Sequence, residues 1–225
     1  SSDGGISWTN PISGGASDIA IHPTNPQIIY AGMMFVFGAG NLPGLYRSTN
    51  GGSSFTRVYD SPFTANQSST REFRVAVTPA NPNRVYIYYG TTQTSPAQLR
   101  LERSDDSGVT FTNRGPLSNN VGGVDPGQFG YNVYLAASPT NADTVYIGSR
   151  DVFRSTDAGT TFTDISNSFA PPWPSGSYTP NSQKFHSDQQ SFDFEPNNGN
   201  IFYCGNDGGI WKTTNGGTSF TSLNS

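Results

Sequence analysis

The stretch Ser155–Phe162 reads Ser-Thr-Asp-Ala-Gly-Thr-Thr-Phe, and similar octets occur at four other places in the 225-residue chain. Their shared pattern is Ser/Thr-x-Asp/Asn-x-Gly-x-Ser/Thr-aromatic. The other copies are Ser1–Trp8, Ser48–Phe55, Ser104–Phe111 and Thr213–Phe220. The Asp or Asn position recurs at intervals of 47–58 residues. Repetition at this period indicates an architecture of stacked supersecondary units, so the repeat decides the fold.

Each octet has the chemistry of a tight hairpin turn. The Asp or Asn at its third position can accept hydrogen bonds from nearby backbone N–H groups, and the Gly at its fifth position adopts angles that other residues resist. A calcium site is not indicated, because each octet offers at most one carboxylate and calcium takes about 6–8 oxygens. We therefore predict a structural role for the third-position residues, which are Asp3, Asn50, Asp106, Asp157 and Asn215.

A second motif alternates with the octets and consists of two predicted strands joined by a Pro/Asn turn. Its copies are Asp18–Gly32, Arg74–Gly90, Tyr134–Gly148 and Ser191–Gly205. Pro fixes φ in such a turn, and Asn tolerates the left-handed backbone. Together with the strands on either side of each octet, every unit predicts four antiparallel strands, which we label A to D.

Four antiparallel strands in about 50 residues are typical of a β-propeller blade. The sequence therefore predicts an all-β propeller with blades at 17–60, 72–115, 132–166 and 189–225. Residues 1–12 contain an octet and a predicted strand D, from Trp8 to Ile12, without strands A to C before them. We predict that they end a preceding blade, and that the four blades and this partial one belong to a larger ring.

The octet is the Asp-box, and the chain resembles the Asp-box, or BNR-repeat, β-propellers over nearly its whole length. These include bacterial sialidases, xyloglucan-cleaving glycoside hydrolases, sortilin-type receptors, photosystem II assembly factors and many secreted bacterial proteins. The resemblance implies the propeller fold, but this fold hosts many functions and does not choose among them. A secreted or cell-surface location is expected for this type, and the low lysine content agrees with it.

The composition argues against several classes of function. The net charge is −4 and no basic run is present, which disfavours binding to nucleic acid or to anionic membranes. No apolar run approaches the roughly 20 residues that span a bilayer. The single cysteine, Cys204, lies in a predicted strand and is interpreted as buried. No metal or cofactor is predicted.

The candidate ligand-binding residues lie in or beside the connections that break the repeat. In a propeller the B–C and D–A loops share one end, and three of these loops are irregular here, at 33–43, 113–131 and 167–190. Long irregular loops are often functional. Their aromatic and polar side chains suit sugar stacking or protein contact, and they equally suit covering the top of the ring. The candidates are Phe35, Tyr131, Arg150, Asp151, Trp173, Tyr178, His186 and Asp188.

Two further patterns involve charged residues. His186 and Asp188 lie two residues apart, so on a strand they would share a face and either pair structurally or supply two ligands of a larger site. The stretch from His186 to Gln190 resembles a His-x-Asp-Gln-His segment of secreted propellers, but Gln190 replaces the second His, which disfavours a metal site. A basic residue recurs in one column of strand C and predicts packing or pairing on the sheet, at Arg47, Arg103, Arg154 and Lys212.

Three functional hypotheses are open from the sequence. The first is a non-catalytic extracellular module that binds a glycan or a protein through its irregular loops. The second is a glycoside hydrolase of the xyloglucanase kind, with a cleft shared with further blades of the same protein. It needs two carboxylates, and the loop candidates are Asp60, Glu72, Asp125, Asp151 and Asp188. The third is a structural subunit of a surface assembly. A sialidase is not favoured, because the chain has no Arg-Ile-Pro segment.

Overall fold

The computed structural model describes residues 1–34, 42–60, 70–91, 99–117, 129–166 and 186–224. These residues form sixteen β-strands and no helix, and hence no helix of the length and apolarity that would cross a membrane. The strands make four antiparallel sheets of four strands each, and neighbouring strands in each sheet follow one another in the chain. The predicted all-β propeller built from four-stranded blades is therefore confirmed.

Strands A to D of each blade follow in order along the chain. Blade one contains β1 (Gly15–Ile21), β2 (Ile29–Met34), β3 (Gly44–Ser48) and β4 (Thr56–Asp60). Blade two contains β5 (Thr70–Thr78), β6 (Asn81–Thr91), β7 (Arg100–Ser104) and β8 (Thr112–Pro116). Blade three contains β9 (Tyr134–Ala137), β10 (Val145–Gly148), β11 (Val152–Ser155) and β12 (Thr163–Asp164). Blade four contains β13 (Gln189–Phe194), β14 (Phe202–Asn206), β15 (Gly209–Thr213) and β16 (Thr221–Ser222).

The octets fold as hairpins with a shared set of hydrogen bonds. In Ser155–Phe162 the Ser155 hydroxyl donates to Asp157 Oδ1 at 2.8 Å and accepts from the Gly159 N–H at 2.8 Å. The Thr161 N–H donates to Asp157 Oδ1 at 2.9 Å, and its hydroxyl donates to Asp157 Oδ2 at 2.7 Å. The third-position side chain therefore closes the turn, as the sequence predicts.

An Asn at the third position closes the turn equally well. In Ser48–Phe55, Asn50 Oδ1 accepts the Ser54 N–H at 3.0 Å, and Asn50 Nδ2 donates to the Ser54 hydroxyl at 2.9 Å. A hydroxyl can be donor or acceptor, so it serves a carboxylate or an amide partner. The fifth-position glycines all lie in the left-handed region, with φ from 80° to 92°.

The same hydrogen bonds change the acidity of the octet carboxyls. Burial acts to raise the pKa of Asp157, but hydrogen bonds from Thr161, Ser155 and Thr160 outweigh it and lower the pKa to about 2. Hydrogen bonds led by those from Ser7 and Thr110 hold the pKa values of Asp3 and Asp106 well below the usual range. The hydrogen bonds of the hairpins thus stabilise the ionised form of these carboxyl groups.

The apolar core lies in layers between successive blades. One cluster joins blades one and two, another joins blades two and three, and a third joins blades three and four. Strand A of each blade contacts strand A of the next, as β1 with β5, β5 with β9, and β9 with β13. Some of these approaches are very close, since a Cβ at Gly32 would collide with the Phe73 carbonyl of the next blade. Cys204 is buried in such a layer, as predicted.

Local details differ from the sequence predictions at two places. Residues Trp8–Ile12 are not a strand, because no strand among the described residues lies beside them to complete the ladder. The assignment of these residues to a preceding blade stays a prediction. Strand D of blade one begins at Thr56, after the aromatic Phe55 rather than at it, and β12 and β16 have two residues each. The outer strands of blades three and four are therefore shorter than those of blades one and two.

Candidate functional site

Five of the eight candidate residues come together at one end of blades three and four, which we call the mouth. The mouth is the end of these two blades that carries the B–C and D–A connections, opposite the octets. Tyr131 precedes β9, Arg150 and Asp151 join β10 to β11, and His186 and Asp188 precede β13. The remaining candidates, Phe35, Trp173 and Tyr178, lie outside the described residues.

The floor of the mouth is a buried set of hydrogen bonds between the two blades. The Asp188 N–H donates to the Arg150 carbonyl at 3.0 Å, and the Gln189 N–H donates to the Ser149 carbonyl at 2.8 Å. The fully buried side chain of Gln189 donates from Nε2 to the carbonyls of Arg150, at 3.2 Å, and of His186, at 2.9 Å. These contacts fasten the B–C connection of blade three to the first strand of blade four.

Asp151 belongs to this floor and is buried. The Ser166 hydroxyl donates to Asp151 Oδ1 at 2.9 Å and accepts from the Val152 N–H at 2.9 Å. The carboxylate therefore ties the connection to the residues that follow strand D of its own blade. Asp151 thus helps to fix this connection, and its contact with a ligand stays a prediction.

Asp188 has an unusual backbone conformation. Its φ is 67°, in the left-handed region that residues other than glycine rarely occupy. Its carboxylate accepts a hydrogen bond from Asn132 Nδ2, a buried side chain of the D–A connection of blade three, at 2.6 Å. Local backbone strain of this kind is found preferentially at functional sites. The hydrogen bonds with Arg150 and Asn132 together tie Asp188 to blade three.

His186 and Asp188 do not lie on a strand, so the argument that they share a strand face is wrong. β13 begins at Gln189, and the three residues before it form an irregular approach. The His186 Nδ1 lies 2.9 Å from the Ser187 carbonyl. Among the described residues no three His, Cys, Asp or Glu side chains are grouped closely enough to hold a metal ion.

The rim of the mouth carries two exposed side chains that donate to the carboxylate of a third exposed residue. Tyr131, which is 61% exposed, donates from its hydroxyl to Asp207 Oδ2 at 3.3 Å. Gln190 donates from Nε2 to Asp207 Oδ1 at 3.1 Å. The negative charge of Asp207, with a smaller contribution from Asp188, raises the pKa of Tyr131, so the phenol stays protonated and able to donate. The rim thus joins an aromatic ring to hydrogen-bonding groups.

Sequence reasoning missed Asp207 and Gln190 as site residues. Asp207 and Gly208 form the two-residue turn between β14 and β15, and turn chemistry alone explains an Asp-Gly pair there. Gln190 is the extra residue of a β-bulge between the pairs of Gln189 and Ser191, and bulges re-aim side chains. A bulge occurs at the same place in β1, and β5 has one two ladder pairs further from its A–B turn. The repeat of this bulge is structural, and no feature of the amino-acid sequence indicates it.

The other loop carboxylates lie elsewhere. In blade one Asp60 forms a salt bridge with Arg57 at 3.0 Å, and in blade two Glu72 forms one with Arg74 at 3.1 Å. Burial raises the pKa of Glu72, against the opposing charge of Arg74. Asp125 lies outside the described residues. Of the predicted loop carboxylates, the mouth therefore brings together Asp151 and Asp188.

Comparison with known proteins shows what the chain is similar to. No family profile matches the sequence. A xyloglucanase of Hypocrea jecorina (strain QM6a) is 32% identical over 200 residues, which cover 82% of this chain and 22% of that protein. Among solved structures, the GH74 enzyme of Niastella koreensis superposes with a TM-score of 0.67 at 21% identity, covering 95% of this chain and 30% of that one.

A second solved structure has a similar fold. An auxiliary nutrient binding protein of Bacteroides ovatus superposes with a TM-score of 0.57 at 16% identity, covering 95% of this chain and 47% of that one. At these identities the structural likenesses show the shared propeller fold. The chain spans about a fifth of the length of the xyloglucanase that it matches.

Proposed function

We propose that this chain is a glycan-binding section of a glycoside hydrolase of the xyloglucanase kind, and that its mouth binds a β-glucan chain. The observation that carries the proposal is the meeting of Tyr131 and Gln190 at the Asp207 carboxylate, above a buried polar floor. A polymeric ligand of this kind agrees with the extracellular location expected from the sequence.

The groups at the rim match the chemistry of a sugar. A pyranose ring has an apolar face that packs on an aromatic ring, and Tyr131 offers such a ring in an exposed position. Sugar hydroxyls donate to carboxylates and accept from amides, which Asp207 and Gln190 provide. The mouth therefore combines a flat apolar contact with fixed polar groups, as ligand sites commonly do.

Two buried polar atoms of the floor further support a polar ligand. Gln189 Oε1 and Asn206 Nδ2 have no hydrogen-bond partner among the described residues. A buried polar atom left without a partner costs about 1–3 kcal/mol, so such atoms are usually satisfied by ligand or solvent. Both residues flank the rim, since Gln189 precedes Gln190 and Asn206 precedes Asp207.

Hydrolysis by the same mouth is the second candidate, and the xyloglucanase relative favours it. Glycoside hydrolysis needs two carboxyl groups on either side of the scissile bond. Tyr131 donates to Asp207, and its neighbour Asn132 donates to Asp188, so the two carboxylates bind adjacent residues of the same connection. They are the pair of carboxylates in the mouth that a hydrolysis assay has to test.

Calorimetric titration with xyloglucan oligosaccharides tests the binding proposal. We expect Tyr131→Ala to weaken binding about tenfold, because it removes the aromatic face. Asp207→Asn should weaken binding by a similar factor, since it removes the charged acceptor while keeping the shape of the turn. The matched control is Glu195→Gln, which neutralises an exposed carboxylate in the A–B turn of the same blade, at the octet end. It should bind like the unchanged protein.

Hydrolysis is measured separately, as release of reducing ends from xyloglucan. If the second candidate is right, Asp188→Asn or Asp207→Asn abolishes release while leaving some binding. Binding without release supports the first candidate alone. The proposed glycan site is refuted if the unchanged protein binds no β-glucan, or if Tyr131→Ala and Glu195→Gln bind equally well.

A further inference from the structure

The turn that carries Asp207 is fastened by a side chain from the end of its own blade. Asn224 lies two residues after β16, and its carboxamide lies across the connection between β14 and β15. Its Oδ1 accepts the N–H of Ile210 at 3.0 Å, and its Nδ2 donates to the carbonyl of Gly208 at 2.8 Å. One side chain therefore bridges the residue directly after Asp207 and the second residue of β15.

Two glycines make room for the side chains around this turn. A Cβ at Gly209 would collide with the Asn224 carboxamide, and φ there is 114°, in the range that favours glycine. A Cβ at Gly208 would collide with His186, which precedes β13. The Gly208 N–H also donates to Asn206 Oδ1 at 2.9 Å. The backbone of the turn thus passes close to side chains from both neighbouring connections and has little room to move.

Blade three contains a related contact at the same place. Ser166 lies two residues after β12, as Asn224 lies two residues after β16. Its hydroxyl accepts the N–H of Val152 at 2.9 Å, and Val152 is equivalent to Ile210 in the pairing of strands B and C. The same hydroxyl donates to Asp151 Oδ1 at 2.9 Å. In blade three the residue after strand D therefore binds both the start of strand C and the loop carboxylate.

The two blades differ in where the loop carboxylate lies. Asp151 and Gly209 occupy equivalent places, each directly before the N–H that is bound. Gly209 has no side chain, and the Asn224 carboxamide fills the space that a Cβ would need there. Because this carboxamide binds backbone groups, it leaves the carboxylate of Asp207 at the exposed rim. The carboxylate of Asp151, in contrast, is buried in the floor.

We propose that Asn224 is a positioning residue of the mouth, which fixes the turn between β14 and β15 and so holds the Asp207 carboxylate against the Tyr131 hydroxyl. Hydrogen bonds between exposed groups contribute little net free energy, so the rim contacts alone hold the carboxylate weakly. A fixed backbone lowers the cost of ordering a binding group when a ligand arrives. The effect on glycan binding rests on the proposed function, whereas the contact between Asp207 and Tyr131 does not.

The pKa of Tyr131 reports the position of the Asp207 charge in the absence of any ligand. That charge is the main cause of the raised pKa of Tyr131. Asn224→Ala removes both hydrogen bonds from the turn, so we expect the carboxylate to move away and the pKa of Tyr131 to fall toward its ordinary value. NMR titration of the chain with isotope-labelled tyrosine measures this pKa, and Tyr131→Phe identifies the signal.

Asn25→Ala is the matched control. Asn25 also closes an exposed turn with its side chain, since its Oδ1 accepts the Gln27 N–H at 3.1 Å, but this turn lies at the octet end of blade one. The control should leave the pKa of Tyr131 unchanged. A general loosening of the fold would act on both variants alike, so the difference between them isolates the mouth.

Asn224→Ser is a milder variant that keeps the test valid if Asn224→Ala folds poorly. Its hydroxyl can accept the Ile210 N–H, as the hydroxyl of Ser166 accepts the equivalent N–H in blade three. A single oxygen then replaces the two polar atoms that span the turn, so the contact with the Gly208 carbonyl is lost. We expect a pKa of Tyr131 between those of the unchanged protein and Asn224→Ala. Circular dichroism checks the fold of each variant.

The proposal is overturned if the variants at Asn224 and Asn25→Ala leave Tyr131 with the same pKa. Titration with xyloglucan oligosaccharides is the second measurement, and we expect Asn224→Ala to weaken binding about fivefold and Asn25→Ala to leave it unchanged. Binding that Asp207→Asn weakens and Asn224→Ala does not would also overturn the proposal. A chain that binds no β-glucan refutes the proposed function, while the pKa of Tyr131 still decides the role of Asn224.

Discussion

The hairpins of the octets and the mouth differ in how far apart in the chain their hydrogen-bonded partners lie. Within an octet the partners are close, as Gly159 and Ser155 are four residues apart. At the mouth several partners belong to different blades, since Asn132 and Asp188 are 56 positions apart and Tyr131 and Asp207 are 76 positions apart. Local contacts repeat wherever the octet repeats. The contacts of the mouth depend on which two blades meet, so its chemistry can differ from blade to blade while the fold stays the same.

The left-handed backbone occurs at both ends. At the octet end it falls mostly on glycine, where it costs little, but also on Ser107, Ala158 and Asn197. At the mouth it falls on Gly209 and on Asp188, whose Cβ makes this conformation unfavourable by about 1–2 kcal/mol. Asp188 is distinguished by its side chain, which has a hydrogen-bond partner in the preceding blade.

The largest effect is expected from adding a methyl group to an octet that is packed between blades. Gly159→Ala strains a residue with φ of 88° and drives the new Cβ into Leu101 of blade two, so we expect a loss of about 3 kcal/mol in unfolding free energy. Gly5→Ala is the control at the same octet position. Its φ is 92° and its Cβ would meet Trp8 at an ordinary 3.7 Å, so the loss should be about 1 kcal/mol. Urea denaturation measures both, and similar losses would show that blade packing adds nothing.

A smaller and pH-dependent effect is expected at the octet carboxylate. The pKa of Asp157 is about 2 in the folded protein and near its ordinary value of about 3.9 when unfolded. The ionised carboxylate therefore stabilises the fold above pH 4, and this contribution is lost as the pH falls through about 2. Asp157→Ala should lower the melting temperature at pH 7 and differ less from the unchanged protein near pH 2.

Asp157→Asn serves as the comparison for that effect. Because Asn50 and Asn215 close their own octets, we expect this variant to stay close to the unchanged protein at pH 7. Melting curves between pH 2 and pH 7 check both variants. An equal loss for Ala and Asn would mean that the charge, and not the hydrogen bonds, closes the turn.

The smallest effect on stability is expected at the mouth. Asp188→Gly removes the left-handed strain and also the hydrogen bond from Asn132, so these changes oppose each other. We expect the unfolding free energy to change by less than about 1 kcal/mol while β-glucan binding weakens. Denaturation and titration of the same sample measure the two quantities. A large loss of stability would mean that Asp188 is a structural residue like those of the octets.

Much of the fold was predictable because its determinants are local and repeated. Ser155 and Asp157 are two residues apart, and their hydroxyl and carboxylate close the same hairpin wherever the pair recurs. The grouping of Arg150, Asp188 and Tyr131 at one end was also predictable, since the position of a connection in the repeat decides its end. The hydrogen-bond partner of each residue at that end was not predictable, because no sequence pattern indicates which residues of two blades form hydrogen bonds.

The sequence by itself determined that the chain forms four-stranded antiparallel blades, where their turns lie, and which end carries the irregular connections. Only the tertiary structure decided that Gln190 is a bulged residue, that it meets Tyr131 at Asp207, and that Ile19 and Ile21 remain uncovered. The physical reason is the separation along the chain between the residues that interact. Turns and strand patterns follow from residues a few positions apart, whereas these contacts and the uncovered face depend on how whole sheets stack.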